Sequence, residues 1–320
     1  MKPYHLLTAA GLLVTANAFA QHDHAAAPAA DTVPKAMCGM DHGDGKKACD
    51  MPMDGKGMKH EKGMTPEMMA AHHREMLQDI LKGDWRDPKN TARDKYRHPL
   101  ETLSFFGISP HSKVIEIWPG GGWYSEIIAP YATKHGSYTG AVNNPATLEK
   151  ESSKAYYAKQ NQTLRDKFAA KPEIYGKAVL LEFDPAKPVF GAPGSADAVL
   201  TFRNVHNWRM SKQAEGMFAG FFAALKKGGT LGVVEHRAAK NVADDDRSGY
   251  VSEAQVIALA TKAGFKLDAR SEVNANPKDT KDYPGGVWTL PPTYGQGDKD
   301  RAKYQAIGES DRMTLRFVKP

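Results

Sequence analysis

The stretch KVIEIWPGGGWYSEIIAPY at residues 113–131 decides the fold. Its first six residues form an apolar run typical of a buried strand, and its second half has the apolar spacing of a helix. Between them lie Pro119, Gly120, Gly121 and Gly122. Glycines let the backbone turn sharply and let a ligand approach without Cβ clashes, and a helix start favours a carboxylate or phosphate. The stretch therefore predicts a ligand-binding loop, with a tight turn that binds nothing as the alternative.

Further apolar runs alternate with helical stretches along the rest of the chain. Such alternation predicts a mostly parallel sheet covered by helices on both faces, here a doubly wound, seven-stranded α/β sheet. Ligands of such sheets bind beyond the carboxyl ends of the strands, where the winding direction reverses. After the strand at 113–118, the other strands are predicted at 137–142, 178–183, 197–202, 230–235, 265–273 and 314–318.

Residues 65–112 predict an N-terminal helical segment in front of the α/β domain at 113–320. A Thr-Pro-Glu signature at residues 65–67 starts its first helix. Asn90 is expected to cap a second helix, and Ser211 is expected to cap the helix before the fifth strand.

A long stretch at 276–301 is rich in proline, glycine and charge. Long loops inside compact domains are often functional. We interpret this loop as a lid over a substrate pocket, with Tyr283 and Trp288 as its walls. A surface excursion packed on the domain is the alternative.

The first 20 residues are typical of a secretory signal peptide. Lys2 supplies a positive start, an apolar run follows, and Ala18-Phe19-Ala20 forms a small-x-small cleavage site. Cleavage after Ala20 predicts a periplasmic or secreted protein, with an uncleaved membrane anchor as the alternative. No later run is apolar and long enough to predict a membrane span.

Composition excludes several classes of protein. Of 320 residues, 41% are hydrophobic and 9% aromatic, which is enough for a core and excludes a disordered chain, a collagen and a coiled coil. Lys and Arg number 43 against 37 Asp and Glu, and they are scattered, so we expect no nucleic-acid partner. Two cysteines exclude a scaffold held by many disulfides.

Residues 21–64 predict a disordered tether that carries soft metal donors. They contain no Phe, Trp, Tyr, Leu or Ile, so they cannot offset the entropy of ordering. Thiol, thioether and imidazole groups suit copper, and imidazole also suits zinc. An inert tether, or one closed by a Cys38–Cys49 disulfide, is the alternative. The candidate ligands are His22, His24, Cys38, Met40, His42, Cys49, Met51, Met53, Met58, His60 and Met64.

Taken together, these motifs resemble the class I S-adenosylmethionine-dependent methyltransferases over residues 85–320. The resemblance implies a Rossmann-like methyltransferase fold, S-adenosylmethionine as cofactor and methyl transfer to a small-molecule acceptor. It is carried by 114–131, 138–144, 181–185, 198–208 and 225–237, while 97–99 and 308–312 are similar to an exported branch of "predicted methyltransferase" proteins.

The resemblance also implies roles by position. The glycine loop would surround the methionine moiety, the end of the second strand would bind the ribose, and the end of the third would bind the adenine. Two departures stand out: Trp118 replaces a loop glycine, and asparagine replaces the ribose-binding acid. The candidate cofactor residues are Glu116, Pro119, Gly120, Gly121, Gly122, Tyr124, Asn143, Asn144, Phe183, Asp184, Arg203 and Asn204.

Methyl transfer requires alignment of the reactants and often the removal of a proton from the acceptor. His206 is the first candidate base, because an imidazole titrates near neutral pH, and Glu235 and His236 are the others. A purely structural hydrogen bond is the alternative for His206.

Two other functions compete with methyl transfer. A metal-binding or stress protein with a degenerate, non-catalytic domain would explain the tether. A nicotinamide oxidoreductase is disfavoured, because its Gly-x-Gly-x-x-Gly fingerprint and its acid after the second strand are missing.

Overall fold

The computed structural model describes residues 63–320. The predicted signal peptide at 1–20 and the predicted tether, with its candidate ligands up to His60, lie outside the described residues. Met64, the last candidate ligand of the tether, is described and is half-buried. Within 63–320, none of the helices has the length and apolar character needed to cross a bilayer.

Seven strands form a single sheet in the described residues. Their bounds are β1 (Lys113–Ile117), β2 (Ser137–Asn143), β3 (Ala178–Phe183), β4 (Ala196–Phe202), β5 (Leu225–His236), β6 (Lys266–Ser271) and β7 (Arg312–Val318). Their order is β3-β2-β1-β4-β5-β7-β6, and only β7 runs antiparallel to its neighbours. The predicted seven-stranded, mostly parallel α/β sheet is confirmed. The winding direction reverses between β1 and β4.

Helices cover both faces of this sheet. An N-terminal group precedes β1, and the others connect the strands. Their bounds are α1 (Pro66–Leu81), α2 (Pro88–Thr91), α3 (Asp94–Arg97), α4 (Pro99–Phe105), α5 (Ser125–Ala132), α6 (Glu151–Ala169), α7 (Pro172–Tyr175), α8 (Val205–Met210), α9 (Ala214–Ala224), α10 (Glu253–Lys262) and α11 (Arg301–Ile307), with short 3-10 turns at Pro145–Thr147 and Gly286–Thr289.

Two hydrophobic clusters form the core, one on each face of the sheet. Successive side chains of a strand point to opposite faces. On β1, Ile115 and Ile117 accordingly pack in the cluster with α9, whereas Val114 packs in the cluster with α1 and α5. Burial on both faces explains why the central strands read as continuous apolar runs rather than as alternating ones.

Several local predictions were wrong. Asn90 lies inside α2 and does not cap a helix, because Asp87 occupies the cap position and accepts from the Lys89 N–H at 2.8 Å. Ser211 ends α8, a helix the sequence pattern did not predict, and α9 starts after Gln213 without a side-chain cap. The cap predicted at the start of α1 is confirmed.

We expect Gly232→Ala to destabilise the fold by about 1–3 kcal/mol, because the position has no room for a methyl group. A Cβ on this β5 glycine would lie 2.6 Å from Leu200 Cδ2 and 2.9 Å from the Phe106 ring. Both neighbours are buried, so the N-terminal helical group would have to move away from the sheet. Urea unfolding measures the change. Gly121→Ala is the control, since a Cβ there meets nothing within 4 Å. Equal stability of the two variants would contradict this account of the packing.

Candidate active site

The carboxyl ends of β1, β4 and β5 meet at one edge of the sheet, and two strained residues mark this edge. Trp118, which follows β1, has φ 49°, and Arg203, which follows β4, has φ 63°. Left-handed backbone costs a side-chain-bearing residue roughly 1–2 kcal/mol. Such strain persists only where the surroundings fix it, and it is frequent at functional sites. Here the Arg203 N–H donates to the Val234 carbonyl at 2.7 Å, which fixes the turn to β5.

Glu235 and His206 form a hydrogen-bonded pair at this edge. The Glu235 side chain is fully buried, and its Oε1 lies 3.0 Å from His206 Nδ1. The backbone N–H of His206 donates to Oε2 at 3.2 Å, and the backbone N–H of His236 donates to Oε1 at 2.8 Å. A carboxylate is an acceptor, so Nδ1 of His206 carries a proton and Nε2 is left as the basic nitrogen.

His236 completes this group of candidate catalytic residues. Its ring centroid lies 5.5 Å from that of His206, and its Nδ1 pairs with the Ser310 hydroxyl. Burial, and then the charges of His206 and Arg203, hold the pKa of His236 well below its usual value. The His236 imidazole is therefore neutral near pH 7. The structure thus brings together the three residues that the sequence proposed as catalytic.

The same three side chains could also be considered as metal ligands. One donor atom from each of His206, Glu235 and His236 lies within 4.8 Å of the other two. Two imidazoles and a carboxylate suit zinc or ferrous iron. However, three N–H groups already occupy the Glu235 oxygens, and Arg203 and other arginines act on His236. Because a divalent cation would be repelled by these arginines, the arrangement fits proton transfer better than a metal centre.

The glycine loop at residues 118–122 exposes bare main chain on one side. Gly120 and Gly122 have φ 57° and 80°, which side-chain-bearing residues adopt only with strain. A Cβ on Gly122 would lie 3.0 Å from Leu164 Cδ1, whereas Gly121 is exposed and a Cβ there meets nothing within 4 Å. Pro119 is buried beneath the turn. The approach to the main chain is therefore open at Gly121.

Glu116 lies beneath this loop and does not face its opening. Its carboxyl accepts from the Tyr138 hydroxyl at 2.7 Å and from Ser125 Oγ at 3.0 Å, so it links β1 to β2 and α5. Burial raises the pKa of Glu116 to about 7. The structure therefore gives Glu116 a role in positioning the helix that follows the loop, and direct contact with a cofactor stays a prediction.

The indole of Trp118 covers the end of β2. Its Nε1 donates to Asn143 Oδ1 at 2.8 Å, and its ring meets Trp208 edge-on at 5.5 Å and Tyr157 at 6.0 Å. Asn143 is buried, so its amide oxygen is already used inside the fold. The half-buried Asn144, which caps a 3-10 turn, is the more accessible of the two candidate ribose ligands. The sequence pattern did not identify Tyr157, because it lies on a polar helix without a motif.

The other candidate cofactor residues divide into accessible and structural ones. Asp184 is half-buried at the end of β3 and accepts from the Ala186 N–H at 2.9 Å. Phe183 packs in the core. Asn204 is buried, and its amide donates to the Ile117 carbonyl at 2.9 Å and to Thr201 Oγ1 at 3.1 Å. Asn204 therefore ties β4 to β1 at the point where the winding reverses.

Tyr124 and Arg203 are the two remaining candidate cofactor residues. Tyr124 is buried and stacks on Phe202, with ring centroids 3.5 Å apart. The charges of Arg97, Arg312 and Arg203 act on the Tyr124 hydroxyl. Within residues 63–320, no hydrogen bond or ion pair joins the Arg203 guanidinium to another side chain. Within the described residues, Arg203 therefore forms no ion pair with Asp184.

Trp288, from the predicted lid, contacts the candidate base. Its ring meets the His206 ring edge-on, with centroids 5.8 Å apart. Tyr283 instead meets Tyr304 of α11. The opening and closing of a lid stays a prediction. An open cleft of about 370 Å³ lies elsewhere, around the start of α10, and the charges of Arg237 and Lys281 there are paired with Asp311.

Comparison with known proteins gives similarity of fold alone. No family model and no curated protein matches the sequence. A SAM-dependent methyltransferase from Aquifex aeolicus is 14% identical, with 76% of this chain and 98% of that chain covered and a TM-score of 0.46. The 4+2 cyclase SpnF is 14% identical, with 80% and 97% covered and a TM-score of 0.48. A SAM-dependent methyltransferase from Methanosarcina mazei is 14% identical, with 66% and 94% covered and a TM-score of 0.42.

We expect Glu116→Gln to raise the free energy of unfolding above that of the wild type at pH 8, and to raise it much less at pH 5. Because burial raises the folded-state pKa from 4.5 to about 7, the contribution of Glu116 to stability is complete below pH 4.5 and is lost as the pH rises through 7. The neutral amide can still accept from Tyr138 and Ser125, so it avoids that loss, which is on the order of 3 kcal/mol. Urea unfolding at the two pH values measures the difference.

The exposed Glu151 provides the control for this pH dependence. Glu151→Gln should change stability by less than about 0.5 kcal/mol at either pH, as surface substitutions usually do. A Glu116→Gln variant that lost stability equally at pH 5 and pH 8 would show that the charged carboxylate is the stabilising form.

Proposed function

We propose that this chain is an S-adenosylmethionine-dependent methyltransferase that acts on a small-molecule acceptor. One observation carries the proposal. A backbone turn that is open to solvent and an imidazole that is oriented by a carboxylate both lie at the same edge of the sheet. The turn is the glycine loop at 118–122, and the pair is Glu235 and His206. The sheet order supports the proposal only by analogy, since one fold hosts many functions.

The residues at this edge fit the cofactor by their chemistry. Bare main chain at Gly121 can contact the methionine part, and the half-buried Asn144 and Asp184 offer hydrogen-bonding groups to ribose and adenine. The ring of Trp118 offers an aromatic face, which attracts a sulfonium cation by about 0.5–2 kcal/mol. When bound, S-adenosylmethionine supplies an activated methyl group.

The chain itself would supply orientation and a base. Glu235 fixes the His206 ring and keeps the proton on Nδ1, so that Nε2 can accept a proton from the acceptor. The Trp288 ring packs edge-on against the His206 ring, with centroids 5.8 Å apart. His236 stays neutral beside the base and adds no charge. This division of labour, in which an acid orients an imidazole, is common in enzymes that remove protons.

We expect Gly121→Val to weaken cofactor binding strongly without unfolding the protein. The added side chain would occupy the open side of the loop, but it meets no atom of the fold near its Cβ. Calorimetry with S-adenosylhomocysteine and the full chain measures the affinity, and Trp118 provides a fluorescence signal at the same place. We expect Gly121→Val to lose at least about tenfold in affinity, which corresponds to 1.4 kcal/mol.

Gly121→Ala is the graded control for this experiment, with an intermediate affinity expected from its single methyl group. Thermal unfolding of both variants should match that of the wild type. If calorimetry of the wild-type chain with millimolar S-adenosylhomocysteine shows no heat of binding, the proposed methyl transfer is refuted. It would favour the competing hypothesis of a domain without catalysis.

We expect His206→Gln and Glu235→Gln to lower kcat by about 10²–10⁴-fold while the affinity for S-adenosylhomocysteine stays unchanged. The first substitution removes the base, and the second removes the acid that orients it. The acceptor is identified by incubating the chain and S-adenosylmethionine with each of a panel of small phenols, thiols and carboxylates. The formation of S-adenosylhomocysteine from S-adenosylmethionine reports methyl transfer and then measures kcat. Should both variants retain the wild-type kcat, His206 is a structural residue and not the base.

A further inference from the structure

Four arginines surround a single carboxylate, and three of them act electrostatically on His236. We call Arg93, Arg97, Arg203, Arg312 and the central Glu309 the arginine cluster. Arg93 precedes α3 and Arg97 ends it, while Arg203 follows β4. Glu309 lies just before β7, and Arg312 is the first residue of β7. The cluster is thus assembled from three separate parts of the sequence at the carboxyl edge of the sheet.

Three of these arginines hold the carboxylate directly. The Nε of Arg93 lies 2.6 Å from Glu309 Oε1, the Nε of Arg97 lies 3.4 Å from Oε2, and a terminal nitrogen of Arg312 lies 3.0 Å from Oε2. Arg97, Arg312 and Glu309 are almost completely buried. Burial alone would raise the pKa of Glu309, but the charges of Arg97, Arg312 and Arg93 outweigh it and hold this pKa well below its usual range. The carboxylate is therefore ionised.

Arg203 is the arginine that Glu309 does not hold directly. It is half-buried, and within 63–320 no hydrogen bond or ion pair joins its guanidinium to another side chain. The charges of Arg93 and Arg312 act on it, and the Tyr124 hydroxyl lies in the same field. Desolvation, followed by these two charges, lowers the pKa of Arg203 to about 10.

The charges of the cluster do not balance. Four guanidinium groups against one carboxylate leave a surplus of three positive charges in a largely buried place. Burying charge without a partner is costly, and arginine binds carboxylate and phosphate oxygens through paired hydrogen bonds. Arg203 itself has left-handed backbone, which is costly for a residue with a side chain. This strain indicates that Arg203 is positioned for a ligand.

We propose that the arginine cluster is an anion-binding site in which Arg203 binds a carboxylate or phosphate group of a small-molecule ligand. The anion site stands on the geometry of the cluster alone. That the ligand takes part in methyl transfer rests on the proposed function. Two sources share this chemistry, namely the carboxylate of the amino-acid part of the cofactor and an acidic group of the acceptor.

The test uses inorganic phosphate as the probe and the full chain. Thermal unfolding is followed against phosphate concentration at constant ionic strength, and calorimetry gives the Kd. We expect phosphate to raise the unfolding temperature of the wild type. We expect Arg203→Met to weaken phosphate binding by at least about tenfold, because it removes a charged hydrogen-bond donor. Arg74→Gln is the control, since it removes one positive charge from an exposed place on α1.

The stability of the variant without phosphate separates a binding role from a structural one. Arg203→Met relieves repulsion by Arg93 and Arg312, so we expect its unfolding temperature without phosphate to equal or exceed that of the wild type. A lower unfolding temperature with an unchanged phosphate affinity would overturn the proposal. Arg203→Lys, which keeps the charge, should retain phosphate binding and covers the case in which the methionine variant does not fold.

A second comparison identifies the source of the anion. S-adenosylhomocysteine carries the amino-acid carboxylate, and 5′-methylthioadenosine lacks it. If Arg203→Met weakens binding of the former only, the cluster binds the cofactor. If it weakens phosphate binding and neither nucleoside, the acceptor carries the acidic group. Phosphate binding without any nucleoside binding would leave the anion site standing and the methyl transfer refuted. If nucleosides bind, phosphate does not bind and Arg203→Met has no effect, the anion site is refuted and the proposed methyl transfer still stands.

Discussion

A fully buried carboxylate, that of Glu235, holds the candidate site together. Burying a charged group is costly unless hydrogen bonds replace those of water. Here the replacement comes from the backbone N–H of His206, the ring N–H of His206 and the backbone N–H of His236. The end of β5 and the start of α8 therefore cannot move independently. The position of the imidazole follows from the satisfaction of one buried acid.

The neighbouring strand ends use strain in a comparable way. Trp118 and Arg203 adopt left-handed backbone where glycine would be free of strain. In exchange, each position places a large side chain over the edge of the sheet. The Trp118 indole donates a hydrogen bond to Asn143. The charges of Arg93 and Arg312 act on the Arg203 guanidinium. Glycine at either position would relax the backbone, but it would remove a wall or a charge from the edge.

The sequence allowed the sheet to be predicted because its strands are short apolar runs separated by helices. The predicted ends of β4 and β5 were enough to place His206, Glu235 and His236 at one edge, since parallel strands end together. Features that depend on contacts between distant residues could not be predicted this way. α8 contains only six residues and carries no periodic pattern, so its position follows from tertiary contacts.

The same limit explains why the arginine cluster was found only in the structure. Arg93 and Glu309 are 216 residues apart, and nothing in the local sequence around either residue indicates the other. The use of Asn143 by Trp118 was also beyond sequence analysis. Trp118 ends one predicted strand and Asn143 follows the next, and only the left-handed turn at residue 118 directs the indole across to β2. The sequence thus indicated which residues are polar at the edge, but not which of them are already satisfied inside the fold.

The arginine cluster and the neutral His236 are linked electrostatically. Burial and the charges of His206 and Arg203 lower the pKa of His236, so the field of the arginines favours unprotonated imidazole at this edge. A base must be unprotonated before it can accept a proton. An anion held by Arg203 would offset part of this field and so raise the pKa of His236.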